Sequence, residues 1–172
     1  MRGVMGAADR AVALTRAALL AESPDSYVHD VQKDPRFQHR GVDLLWERPS
    51  LPVAGIEVKG DRNARRGNYF FELVSNVEKD TPGCFLYSVA DLMAYVFLET
   101  RELHLLPLPD VRAWFLPLAK EFPLKSTRTK TGAVLYTTVG AAVPVKKVRK
   151  ECPGIRVISP ANNSEKLALT GA

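Results

Sequence analysis

Apolar positions along the chain fall into helical spacing in some stretches and strand-like runs in others, and that contrast divides it into elements. From Ala7 to Ala21 the chain is rich in Ala, Leu and Arg, with Val12, Leu14, Ala18 and Leu19 on one stripe. This predicts a helix ended by Ser23-Pro24. A polar stretch from Tyr27 to Arg40 opens with a short apolar element, Tyr27 to Val31. Three strand-like runs follow in close order: Val42 to Trp46, Val53 to Lys59 and Tyr69 to Val74. Arg48-Pro49-Ser50 and Pro52 mark a turn between the first two, and the short connections predict neighbouring strands.

Pro82-Gly83 signals a turn before a short buried strand, Cys84 to Tyr87. Ser88, three residues before Asp91, reads as a capping box opening a helix whose core face is Val89, Leu92, Met93, Val96 and Phe97. Glu102 to Leu106 reads as a strand, and Val111 to Phe115 as a helix that begins after Pro109-Asp110 and stops near Pro117. Further on, Ala133 to Thr138 reads as a strand, Pro144 to Lys150 as a short helix and Ile155 to Ile158 as a last strand. The sum is an α/β protein with a mixed central sheet flanked by helices.

The bulk properties narrow the class. At 172 residues, 46% hydrophobic and 25% charged, the chain reads as one globular domain over residues 1–158, with a small, polar and frayed tail over 159–172. No apolar run approaches the ~20 residues that cross a bilayer. Met1 to Ala21 lacks the ordered parts of a secretory leader, so a cytoplasmic protein without membrane partners is expected. Cys84 and Cys152 have no neighbouring Cys or His at ligand spacing, which excludes a structural zinc site built on them and leaves two reduced thiols as the plain expectation. The net charge of +5 is uneven: residues 116–158 carry nine basic residues against Glu121 and Glu151, and the rest is slightly acidic. A basic segment of this kind suits a polyanion, or else is a solvated face.

One constellation carries chemistry. In Val53-Ala54-Gly55-Ile56-Glu57-Val58-Lys59-Gly60 the strand period sends Ile56 and Val58 to one face and Glu57 and Lys59 to the other. Asp43 stands in an otherwise apolar run, Gly41 to Trp46, where a charge is expensive unless paired or bound to a cation. If the two strands are adjacent, Asp43 reaches Glu57. Two carboxylates and a backbone carbonyl such as that of Val58 are the oxygen donors that Mg²⁺ takes, with water positions left open. Such an ion polarises a phosphodiester and acidifies a water. Lys59 would orient the water or stabilise charge on the phosphate. The alternative is an ion pair two residues apart on a solvated strand face, with Asp43 at a strand end.

Asp43 followed by Glu57-Val58-Lys59 resembles the PD-(D/E)XK nuclease superfamily, and Ile56-Glu57-Val58-Lys59 is similar to the archaeal-type Holliday-junction resolvases within it. The longer order of blocks, Gly41 to Trp46, Ile56 to Asp61, then Gly67-Asn68-Tyr69-Phe70-Phe71-Glu72, also resembles phage and bacterial proteins of that group and covers roughly residues 27–120. The resemblance implies a restriction-endonuclease-like fold and a magnesium-dependent endodeoxyribonuclease, with Mn²⁺ able to substitute. It further implies a homodimer acting on branched DNA, a four-way junction above all. Asp43 and Glu57 would be metal ligands and Lys59 the catalytic lysine. The sequence departs from the pattern in three places. Val42 stands where the family's name has proline, Gly60 stands where the resolvases carry Ser or Thr, and neither Asp9 nor Glu22 clearly supplies their first-helix glutamate.

Around this trio, Glu72 reads as a further ligand or water-orienting group, or as a surface acid, and Ser75 as a phosphate contact or a plain strand-end serine. Arg62, Arg65 and Arg66 in the loop after Lys59, with Lys146 and Lys147, are candidates for phosphate contacts. His29, His39 and His104 are scattered and carry no nucleophile pattern, while Trp46, Trp114, Tyr69 and Phe70 are expected in the core or an interface. Two further readings stay open: a sequence-specific restriction or homing-type endonuclease, and a non-catalytic DNA-binding module.

Overall fold

The computed structural model describes residues 6–63, 67–131 and 134–159. Helix α1 (Ala7–Glu22) leads into strands β1 (Tyr27–Asp30), β2 (Leu44–Glu47) and β3 (Ala54–Asp61), with a one-turn helix α2 (Pro35–Gln38) before β2. Strands β4 (Asn68–Asn76) and β5 (Thr81–Pro82), helix α3 (Cys84–Tyr87) and strands β6 (Leu92–Phe97) and β7 (Glu102–Pro107) follow. The chain closes with α4 (Leu108–Leu118), β8 (Leu124–Thr131), β9 (Val134–Pro144), α5 (Val145–Glu151) and β10 (Arg156–Ile158).

These form a mixed α/β architecture with two sheets. The six-stranded sheet runs β1-β2-β3-β6-β7-β10, antiparallel except for the parallel pair β3–β6. The four-stranded sheet, β5-β4-β9-β8, is wholly antiparallel. On one face of the larger sheet, Ala11, Val12, Ala18 and Leu19 of α1 pack against Leu44, Trp46, Ile56, Ala94 and Val96. The approach is close enough that a Cβ on Gly60 would lie 2.9 Å from that of Ala11. Gly60 is therefore a packing residue, which accounts for the absent hydroxyl side chain at this position. On the opposite face, Tyr69 and Phe71 of β4 join Met93, Tyr95, Phe97, Leu106 and Phe115 in a second, aromatic-rich core.

Four expectations need correcting. Tyr69 to Val74 is a strand, but β4 belongs to the second sheet and not beside β3. Cys84 to Tyr87 is a turn of helix and not a strand. Its open carbonyls at Phe85 and Ser88 accept hydrogen bonds from the Arg112 guanidinium, at 2.8 and 2.7 Å, which is how so short a helix is held. The helix expected after Ser88 is the strand β6. Ser88 Oγ donates to the Gly41 carbonyl (2.6 Å) and accepts from Ala90 N–H (3.1 Å), so it ties two loops together and caps no helix. Finally, β8 was not anticipated, and β9 is longer than the run from Ala133 to Thr138. The tail from residue 160 lies outside the described residues. Among those described, no helix is long and apolar enough to cross a membrane, and both cysteines are buried free thiols.

Candidate active site

The site begins with the end of a ladder. β2 pairs with β3 through Leu44↔Ile56, and Asp43 N–H still reaches the Ile56 carbonyl (2.8 Å). Beyond that point β3 continues without a backbone partner from β2, and the Asp43 carboxylate takes over: its Oδ2 accepts the Val58 N–H at 2.8 Å. In a strand, one residue's N–H and C=O point to the same edge, so the Val58 carbonyl is directed to the edge that Asp43 occupies. Glu57 and Lys59, odd-numbered on β3, project to the face opposite α1, as the period requires.

Glu72 reaches the same place from the other sheet. Its Oε2 accepts from Lys59 Nζ at 2.6 Å, and Lys59 also stands 6.0 Å from the centroid of the Phe70 ring. Two further residues complete the cluster, and sequence reading missed both. Cys84 hydrogen-bonds the Glu57 carboxyl through its thiol, and Tyr87 lies near enough to feel the charges of Glu57, Glu72 and Asp43. Read as a strand, Cys84 to Tyr87 would send these two to opposite faces. As a helical turn, residues three apart share one face.

The electrostatics reflect crowding of acids in a partly dry place. Burial, then the neighbouring charge of Asp43, pushes the Glu57 carboxyl up to about 8, against partial relief from the Cys84 hydrogen bond and Lys59. Burial also raises Asp43, opposed by the Val58 N–H and assisted by the charge of Asp30. For Lys59, burial disfavours the ammonium, but its surroundings of Cys84, Glu72 and Glu57 outweigh it and hold the group above its ordinary value. Burial keeps Cys84 a thiol and pushes the Tyr87 hydroxyl up to about 12, so neither is an anion at neutral pH.

As a donor set, Asp43, Glu57 and the Val58 carbonyl suit a hard cation. A buried carboxylate whose proton affinity is raised by a neighbouring carboxylate, as Asp43 raises that of Glu57, is what a divalent ion relieves. Among the described residues no three His, Cys, Asp or Glu side chains converge as a ready-made cage.

The remaining candidates are dispersed. Arg62 is exposed and lines a groove of about 570 Å³ that also contains Lys59, Glu72, Phe70 and Lys125. Arg65 and Arg66 lie outside the described residues. Ser75 Oγ donates to the Pro82 carbonyl (3.1 Å) at the β4–β5 turn, away from the trio. Lys146 borders a separate cavity of about 350 Å³ with His104 and Arg149, and Lys147 pairs with Glu151 at 3.2 Å. Asp9 accepts from the Gly6 N–H at the start of α1, while Glu22 pairs with Arg156 at 3.2 Å, so both first-helix acids are engaged elsewhere. Trp46 and Tyr69 are core residues, and Trp114 packs at the edge of the second core, but Phe70 faces the groove. No family model matches this chain, and comparison with curated proteins and with solved structures finds no match either.

Proposed function

We propose that this protein is a magnesium-dependent endodeoxyribonuclease with a restriction-endonuclease-like fold, acting on branched DNA as a homodimer. The observation that carries the reading is the convergence of Asp43, Glu57, Lys59 and Glu72 from two sheets beside an open groove with exposed cations at its rim. The resemblance of the blocks around Asp43, Glu57-Val58-Lys59 and Glu72 to Holliday-junction resolvases supplies the substrate.

Asp43, Glu57 and the Val58 carbonyl would hold the ion, and Mg²⁺ bound there would supply Lewis-acid polarisation of the scissile phosphate and an acidified water. The protein's own groups do the rest. Lys59, positioned by Glu72, is a fixed cation for charge developing on the phosphate. Asp43 fixes its own orientation by holding the Val58 N–H, which keeps one carboxylate oxygen committed to the strand. A four-way junction has near two-fold symmetry and needs paired cuts, so a two-fold dimer with two such sites is the natural assembly.

Purified protein is expected to cut a synthetic four-way junction in Mg²⁺ or Mn²⁺ in preference to linear duplexes of random sequence. Asp43→Asn and Glu57→Gln are each expected to abolish cutting and retain binding. Robust cleavage by both variants would falsify the site assignment, and preferential cutting of one linear sequence would favour a restriction-type enzyme.

A second reading, a DNA-binding module without catalysis, has one observation in its favour: Glu57 holds its proton up to about pH 8 when no cation is bound. Calorimetric titration with Mg²⁺ and Mn²⁺ separates the two, since a binding-only module takes up neither ion.

A further inference from the structure

The groove beside Lys59 is larger than catalysis at one phosphate requires, and its lining is specific in kind. Phe70 of β4 and Tyr136 of β9 bring rings to it, with Lys125 and Thr127 on β8 and Thr138, the ladder partner of Thr127, on β9. Phe70 lies against Gly140, where a Cβ would come within 2.5 Å of its ring, so the absence of a side chain there lets the ring settle onto the ribbon. Both acids in the groove are engaged. Asp61 accepts from the Tyr95 hydroxyl at 2.5 Å, and Glu72 is held by Lys59 at 2.6 Å. Arg62 and Lys125 are exposed, and among the described residues neither forms an ion pair.

Rings interleaved with hydroxyls and unpaired cations are the features that hold a single nucleic-acid strand, with bases against the rings and phosphates against the cations. A volume of about 570 Å³ falls within the ~300–1,000 Å³ of small-molecule sites, so it admits a nucleotide-sized unit and not a duplex. We infer that the groove between β3, β4 and the β8–β9 ribbon binds one unpaired DNA strand, with Tyr136 stacking on a base and Lys125 and Arg62 on its phosphates. The inference rests on the nuclease reading for its ligand: a flap, or a junction opened at its crossover, supplies such a strand, and the groove leads it to Lys59. Selectivity for branched DNA then lies in this groove and not in base-specific contacts.

Fluorescence anisotropy with a short labelled oligodeoxythymidylate, in EDTA, tests it on the intact chain. The strand is expected to bind more tightly than a blunt duplex of equal length. Tyr136→Ala is expected to weaken strand binding about tenfold. Lys125→Ala is expected to lower the slope of log affinity against log salt by about 0.7. Arg62→Ala, at an exposed loop position, repeats the salt test should Tyr136→Ala fail to fold. Equal affinity for duplex and strand, or unchanged strand binding in the folded variants, overturns the groove assignment. Because EDTA removes cleavage from the measurement, strand binding as expected in a protein that cuts no DNA overturns the nuclease reading alone. Junction cutting with variants that bind the strand unchanged overturns the groove alone.

Discussion

Glu57 sits among Asp43, Lys59, Glu72 and Cys84, and with its carboxyl at about 8 it is neutral over most of the physiological range when no cation is present. The unfolded chain ionises it near 4.5, so between these values the folded state binds more protons and stability falls as pH rises, with the full loss reached above about pH 8. In EDTA, chemical denaturation from pH 6.5 to 9 should therefore show declining stability, and Glu57→Gln should flatten the decline. An unchanged slope in the variant would mean that other groups set it. Asp43 offers a second contrast. Asn at this position retains an oxygen for the Val58 N–H (2.8 Å in the parent), whereas Ala leaves that donor without its partner. Asp43→Ala should be about 1–3 kcal/mol less stable than Asp43→Asn, while both lose metal-dependent cutting. Equal stability of the two would assign no structural work to the carboxylate. The strand period made the shared face of Glu57 and Lys59 legible in the sequence, because alternation depends on local backbone geometry alone.

At the level of elements, the errors cluster where a short apolar run serves either period. Met93 to Phe97 is buried at every position because β6 is an interior strand with both faces covered, and such a run carries no alternation to set it apart from a helix. The converse happened at Cys84 to Tyr87, where four residues are too few to display any period and a helical turn exists because Arg112 from α4 caps it. β8, with its polar sequence from Leu124 to Thr131, is a strand through its ladder with β9, which no local pattern announces. The seat of α3 on β4 is tight. A Cβ on Gly83 would lie 2.2 Å from the Glu72 carbonyl oxygen, a backbone atom that cannot turn aside. Gly83→Ala should cost about 3 kcal/mol or more by denaturant unfolding. It should also disturb the Glu72–Lys59 pair, so a variant as stable as the parent would contradict this packing.

For the molecule as a whole, two buried groups tilt stability against pH in opposite directions. Burial holds His104 below its ordinary value despite its bond to Glu102, so the unfolded chain takes up that proton first and the His104 contribution is lost as pH falls below about 6.5. Below about 6.5 this loss offsets the gain from Glu57 and the profile levels off, so His104→Gln should extend the decline with rising pH down towards pH 5 in the same denaturation series. The basic stretch over residues 116–158 is shared among α4, β8, β9, α5 and β10, so its charge is divided between the groove rim at Lys125 and the separate cavity at Lys146. The sequence by itself determined the mixed α/β class, the first helix, the β2–β3 pair and the shared face of Glu57 and Lys59, because periodicity and turn residues act over a few positions. Only the tertiary structure decided that β4 crosses to a second sheet, that Glu72 returns from it to hold Lys59, and that Cys84 and Tyr87 close over the carboxylates. Those contacts join residues far apart in the chain, and they are fixed by which apolar faces must cover one another, a condition that no local stretch of sequence contains.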